Sequence, residues 1–586
     1  MSTPDGRWWI TFNGQIYNHV DLRARLEAGG ERFRTRSDTE VLLLAIARWG
    51  DAALAELDGM FAFAAFDATE NRMLLAVDQF GQKPLVYTIL PDGWLVFASE
   101  LTAMRAFPSA TRELDTLAVC RMLSFNHPPA PQTIWRDVQR FEPGSALGVQ
   151  LETDGTVRGC RAWRFWQPFS AAQRGPQHVD DEAFVSALRS SVRNELVADV
   201  PVGVLLSGGV DSTVIAALAA AQRPITTLSM GFGEAEFDES AAARATARAL
   251  GTDHHEFHLS GDDAIATLNA VMGHLDEPLA DAGCLPTWHL FRTARSVVTV
   301  AVGGDGGDEL LEGYPTFYAF DLLRCLGPLA RATGLLRPLA GWIPVSDGYY
   351  PWGYQARRFL AGASAQPWYR LQMFMGGCPP WTLRDILRPE LLEAAGLRGS
   401  SREFADHLFE PAWPASLREA SRGTPDANRV VQYHLRSYMA GEVLRKVDRM
   451  SMAHGLEVRA PMLGAPFAEL CLSVSSRRRR HGRRGKLPLR DWLHRMPSLA
   501  PASKRPKRGF AIPVSRWLRH EFRGVADDVF LSGSSPLTQW CQMEKLKTLW
   551  LRHREGQRDD RKELWALLTL GLWMQHHMRA DAPAAR

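Results

Sequence analysis

Six consecutive residues, Ser207-Gly208-Gly209-Val210-Asp211-Ser212, combine the features that a phosphate site needs. Two glycines let the backbone turn tightly and approach a ligand, and a helix that begins just after them presents free N–H groups and a positive dipole end to an anion. Asp211 adds a carboxylate suited to Mg²⁺ beside phosphate oxygens. The spacing is not that of a Walker loop, because G-x-x-x-x-G-K-[ST] is absent. An ordinary glycine turn between strand and helix is the bland alternative. Against it, the apolar run Val202 to Leu206 and the helical pattern Ser212 to Ala221 sit where phosphate binding requires them.

The elements that must position this loop are written in the hydrophobic pattern. Asp180 to Asp199 has an acidic start and apolar residues at Phe184, Leu188, Val192 and Leu196, which predicts a helix. Ile225 to Gly231 and Val297 to Val302 read as further buried strands, so the order implies βα units and a parallel sheet. The remainder, about 315 to 586, reads as mainly helical, and the segment Glu563 to Leu568 with Trp573 reads as packed helix rather than site. Residues 1 to about 165 read instead as antiparallel sheet, with short apolar runs such as Trp8 to Phe12, Met60 to Phe66, Met73 to Val77 and Trp94 to Ala98 and one helix at Asp38 to Trp49. The expected division is therefore a first domain over 1–166, a polar linker over 167–179 and a second domain over 180–586.

Composition excludes several classes. In 586 residues, 68 Lys plus Arg stand against 65 Asp plus Glu, a net charge of +3 that gives no general field for nucleic acid or anionic membrane. Seven cysteines with no C-x-x-C pair argue against a zinc site or a disulfide framework. No run approaches the ~18 apolar residues of a membrane span, and no apolar leader opens the sequence. A cytoplasmic enzyme is expected. Only 8 of the 68 basic residues are Lys, which draws attention to Lys83, Lys446, Lys486, Lys504 and Lys507 as places where a compact charge suits better than a planar fork. The run Arg477 to Arg480 with Arg483 and Arg484 reads as a solvated loop.

The loop Ser207 to Ser212 resembles the pyrophosphate-binding loop of ATP pyrophosphatases, which cleave ATP between its α and β phosphates. Five further segments narrow the resemblance to the glutamine-hydrolysing asparagine synthetases. They are Asn13 to His19, Asp58 to Phe63, Gly303 to Glu309, Lys446 to Met452 and Glu457 to Pro461, in order through nearly the whole chain. The implied fold is α/β. An incomplete, antiparallel β-rich amidotransferase domain of the N-terminal nucleophile hydrolase kind precedes a parallel-sheet ATP pyrophosphatase domain with a helical C-terminal part.

The implied reaction joins small molecules: ATP adenylates aspartate to β-aspartyl-AMP, and ammonia, from glutamine or free, displaces AMP to give asparagine. The resemblance implies that Ser207, Gly208, Gly209, Asp211 and Ser212 hold the pyrophosphate, that Leu206, Met230, Gly303 and Gly304 surround the nucleotide, and that Asp211 and Asp308 hold Mg²⁺. Asp305 serves adenylate formation and receives the proton of ammonia, and Lys486 stabilises the charge that develops as the amide forms. Gly303 stands where relatives carry Ser, Asp305 where some carry Glu, and Gly464 where they carry Asp. Lys504 to Phe510 is implied to lie near the active site, and Asp276 to Pro278 with Asp281 near the substrate. A homodimer is compatible with the family. Related amide ligases of the β-lactam synthetase or lasso-peptide cyclase kind, or a non-catalytic descendant, are the alternatives.

In the first domain the resemblance assigns Asn13 and Gly14 to an oxyanion hole, Asp38 to the amino group of glutamine, and Gln15 to a pocket position usually held by Glu. The family nucleophile is a cysteine at the mature N-terminus, whereas position 2 here is Ser and the nearest cysteine is Cys120. The persistence of Asn13, Gly14 and Asp38 leads us to expect a start upstream of Met1 in preference to a degenerate pocket.

Overall fold

The computed structural model describes residues 1–107, 113–169, 179–234, 236–327, 329–333, 345–346, 348, 351–366, 369–410, 426–509 and 512–578. Most of the expected linker, 170–178, and Phe510 of the basic loop lie outside the described residues.

The first half contains β1 (Trp8–Ile16), β2 (Gly59–Asp67), β3 (Arg72–Val77), β4 (Val86–Ile89), β5 (Leu95–Ala98), β6 (Gln139–Arg140), β7 (Ser145–Leu151) and β8 (Val157–Arg164). They form an antiparallel sheet of order β1-β2-β3-β7-β8 and a smaller one of order β5-β4-β6. The composition of β2 explains its central place. Its Phe61, Phe63 and Ala65 point to one face, among Val41 to Ile46 of the Asp38–Trp49 helix. The intervening Ala62 and Ala64 point to the other, against Leu85, Phe141 and Leu147. The helix starts where Ser37 Oγ accepts the Thr39 N–H at 3.2 Å.

The second half is built on β9 (Val202–Leu205), β10 (Thr226–Phe232), β11 (Asp253–Leu259), β12 (Val300–Val302) and β13 (Glu457–Arg459), in the order β11-β10-β9-β12-β13. All four pairings are parallel, and Val202 and Val204 of β9 face Val300 and Val302 of β12. Succession runs outward from β9 through β10 to β11 on one side, and to β12 and β13 on the other. The strand order thus reverses between β9 and β12, the place where parallel sheets open a crevice at their carboxyl ends.

The halves are fastened to each other. Trp573, fully buried, lies with its ring 6.0 Å from that of Trp135, and its Nε1 donates to the Leu275 carbonyl at 2.9 Å. Lys83 pairs with Asp448 at 2.9 Å across the junction, and Arg449 pairs with Glu100 at 2.6 Å and Asp276 at 2.8 Å. The segment Lys446 to Met452 therefore serves the junction as well as the crevice.

Candidate active site

Both loops that follow β9 and β12 are rich in glycine because they pack on each other. Gly208 sits at φ +72°, and a Cβ there would lie 2.5 Å from Arg505 Nη1 and 2.6 Å from the Ala242 carbonyl carbon. Gly209 opens the Val210–Ala220 helix without a side-chain cap, which leaves first-turn N–H groups for a ligand to answer. Ser207 Oγ and Ser212 Oγ are 3.1 Å apart across the loop. On the facing loop, a Cβ on Gly304 would stand 3.0 Å from Asp211 Cβ, and one on Gly307 2.7 Å from Asp211 Oδ1. Gly208→Ala is expected to lower folding stability by about 1–2 kcal/mol through its left-handed backbone. The collision with Arg505 should also raise the KM for ATP, so thermal melts and ATP titrations of the variant check both effects.

These contacts bring together the residues that the sequence placed apart. Lys486 Nζ reaches Asp211 Oδ2 and lies 2.6 Å from Asp308 Oδ1. Lys507 Nζ lies 2.5 Å from Asp308 Oδ2. Lys486 is 3 % exposed and adopts φ +60° as the first helix turn of Leu487–His494 begins, with its N–H donating to the Leu311 carbonyl at 2.8 Å. Burial would raise the Asp308 carboxyl, but Lys486 and Lys507 outweigh it and hold it at about 2. Burial raises Asp211 against the pull of Lys486, and raises Asp305 against Lys446 and Lys507. Glu309 is pushed up to about 7 by burial and by Asp308, while the Tyr314 hydroxyl donates to its Oε1 at 2.7 Å.

The arginine run is solvated only in part: Arg477, Arg483 and Arg484 are exposed, whereas Arg479 and Arg480 are buried. Arg479 is fully buried, its Nε lies 3.0 Å from Glu312 Oε1, and Arg480 reaches Glu312 Oε2 at 2.9 Å and Asp321 at 2.6 Å. Glu312, itself buried, is what the run lacked in the sequence, and its backbone touches Gly485 so closely that no Cβ fits there. Arg479 and Arg480 thus anchor the segment that delivers Lys486.

Other expected residues fall as follows. Leu206 is buried and its N–H donates to Leu228 at 2.8 Å; Met230 is buried on β10. The N–H of Gly303 donates to the Arg459 carbonyl at 2.8 Å, and a Cβ on it would stand 3.2 Å from Asp305 Oδ2. Gly464 leaves no room for a larger residue, since Ser191 Oγ occupies the space, and the following N–H, of Ala465, is taken by Asp58 of the first half at 2.9 Å. Asp281 pairs with Lys446 at 2.5 Å. Asp276 and Glu277 are instead absorbed by the junction, accepting from the N–H groups of Leu101 at 2.8 Å and Ile134 at 2.9 Å. Lys507 was marked by the rarity of lysine and by its place in the Lys504 to Phe510 segment, but not by a role of its own, and Glu309 with Tyr314 had no signal beyond its place after Asp308.

In the first half, Asn13, Gly14 and Gln15 lie on β1 opposite Ala62, Phe61 and Met60. Gly14, at φ +145°, lies so close to the Met60 carbonyl that a side chain is excluded. Asn13 Nδ2 donates to Ser99 Oγ at 3.4 Å, and Asp38 Oδ2 accepts the Ile16 N–H at 2.9 Å, at the end of the same strand. Cys120 is buried in the core with its thiol pushed up to about 12 by burial. Cys160 is on β8, at the opposite edge of the sheet from β1. The remaining five cysteines belong to the second half. Among the described residues, no helix is long and apolar enough to cross a membrane.

An antiparallel sheet is thus joined to a parallel sheet that carries a glycine loop and a carboxylate–lysine cluster at its carboxyl end, the α/β arrangement of an amidotransferase domain followed by an ATP pyrophosphatase domain. Residues 183–575 match the family described as asparagine synthase, and residues 1–163 match the glutamine amidotransferase domain. Asparagine synthetase [glutamine-hydrolyzing] 1 of Bacillus subtilis is 29% identical over 581 residues, which span 98% of this chain and 86% of that protein. Asparagine synthetase [glutamine-hydrolyzing] 3 of the same organism is 27% identical over 87% of this chain and 78% of its own length. Asparagine synthetase B [glutamine-hydrolyzing] of Escherichia coli is 30% identical over 53% of this chain and 52% of that protein. The chain belongs to the asparagine synthase family, as a carbon–nitrogen ligase of the glutamine-hydrolysing type that acts on small molecules.

Proposed function

We propose that the crevice joins the side-chain carboxylate of aspartate to the α-phosphorus of ATP, forming β-aspartyl-AMP and releasing pyrophosphate. Ammonia then attacks the acyl carbon, and the bond to AMP breaks to leave asparagine. The observation that carries this reading is the position of Lys486, its ammonium shared by Asp211 and Asp308 beside the Ser207–Ser212 loop.

Asp211 Oδ1 is buried and has no hydrogen-bond partner among the described residues. With Asp308 it makes a two-carboxylate oxygen set that suits a hard divalent cation whose other ligands come from phosphate oxygens. Asp211 and Asp308 would hold Mg²⁺, which when bound neutralises the charge of the triphosphate. The loop N–H groups and Lys507 bind the departing pyrophosphate. Lys486 stabilises the negative charge that develops on the tetrahedral centre. Asp305, held protonatable by burial, takes the proton that ammonia sheds. Lys446 and Asp281 offer a cation and an anion beside Asp305, which suits the α-carboxylate and α-ammonium of aspartate.

Asn13, Gly14, Gln15 and Asp38 frame a glutamine pocket in the first half. Given ATP, Mg²⁺, aspartate and ammonium, the protein is expected to form asparagine and pyrophosphate in equal amounts. Chromatography of amino acids and a pyrophosphate assay check both products. No aspartate-dependent pyrophosphate would overturn the proposal.

A further inference from the structure

A cavity of about 60 Å³ lies at the junction of the two halves, away from the glycine loop, between the segment after β3, the ends of β6 and the helical stretch from Arg436 to Arg449. One water needs roughly 10–15 Å³ by this measure, so the space admits about the five heavy atoms of a tetrahedral oxyanion. Its charged lining is mostly cationic: Lys83, Arg140, Arg436, Arg445 and Arg449, with Glu142 and Asp448 as the lining carboxylates.

Several of these guanidinium groups are incompletely satisfied. Arg445 is 6 % exposed, and its Nε and Nη1 have no hydrogen-bond partner among the described residues. The same holds for Arg140 Nε and Arg449 Nε. Arg140 and Arg445 both turn their outer nitrogens to one carboxylate, Glu277. Lys83 is matched by Asp448, and Arg449 by Glu100 and Asp276, while Glu142 is divided between Arg164 and Arg436. Among the described residues, the lining groups and their ion-pair partners comprise six cations and five carboxylates. His127, also in the lining, adds no charge, since burial pushes it down to about 3. Buried N–H donors without acceptors are unfavourable, and those on a guanidinium are best answered by an anion.

We propose that this cavity binds a small tetrahedral oxyanion of the phosphate class, held by Arg140 from the first half and by Arg436 and Arg445 from the second. Such an anion would bind both halves at once and so stabilise their junction. The site is separate from the proposed chemistry and does not depend on it.

The test uses the full chain, unfolded thermally in rising inorganic phosphate against sodium chloride at matched ionic strength. Three variants accompany it. Arg436→Gln removes a partly exposed ligand, Arg140→Lys keeps a cation for Glu277 but loses the free Nε, and Lys507→Gln disables an anion contact at the glycine loop. Phosphate is expected to raise the melting temperature of the parent chain and of Lys507→Gln alike, with the apparent affinity about tenfold weaker in Arg436→Gln and in Arg140→Lys. A shift no greater than chloride gives would overturn the proposal. So would a phosphate effect that disappears in Lys507→Gln, or one that persists unchanged in both Arg436→Gln and Arg140→Lys.

Discussion

Asp308→Asn is expected to abolish ATP-dependent pyrophosphate release, a loss of at least about a thousandfold, in a protein that still folds. The substitution keeps the shape and removes only the charge. That charge is what Lys486 at 2.6 Å and Lys507 at 2.5 Å converge on, and together they hold the carboxyl at about 2. Without it the two ammonium groups repel each other across a neutral amide, and the proposed cation loses one of its two protein ligands. A coupled pyrophosphate assay with aspartate and ammonium reads the loss directly, and near-normal release would refute the role of Asp308.

Lys486→Met should be nearly as severe, with asparagine formation falling by about a thousandfold. It should also destabilise the fold by about 3 kcal/mol, because removing one member of a buried ion pair leaves the other uncompensated. The value belongs at the lower end of the usual range, since Asp308 keeps Lys507 while Asp211 keeps nothing as close. Lys486→Arg is expected not to restore activity. A Cβ on Gly313 would collide with Lys486 Cε, so the channel that holds the lysine stem has no width for a planar fork. Steady-state rates with thermal melts separate the two effects. Rescue by Arg would show that charge alone suffices there.

The chemistry of the crevice was legible in the sequence where it is local. The loop Ser207 to Ser212 lies between an all-apolar strand and a helix, and Gly303 to Glu309 follows another such strand, so both turns could be read from glycine spacing and hydrophobic runs. The adjacency of β9 and β12, which brings Asp211 to Asp308, follows from the parallel sheet. What depends on distant pairing was not legible. Charge runs look solvated until a partner is found, and the partner of Arg479 and Arg480 is Glu312, on another segment. Lys507 carries no local pattern that distinguishes it from surface lysine. β13 has three residues, too few for periodicity, and β11 reads Asp-His-His-Glu-Phe-His-Leu, polar enough to pass for a loop. The motif Lys446 to Met452 was legible as important but not as divided, with Lys446 turned to the crevice and Asp448 and Arg449 to the junction.

The route through an acyl-adenylate is the central claim, and isotope transfer tests it most directly. Aspartate labelled with ¹⁸O in both oxygens of its side-chain carboxylate, turned over with ATP, Mg²⁺ and ammonium, should yield AMP carrying one ¹⁸O, because the bridging oxygen leaves with the phosphoryl group. Label in inorganic phosphate accompanied by ADP, or AMP free of label, would contradict the account.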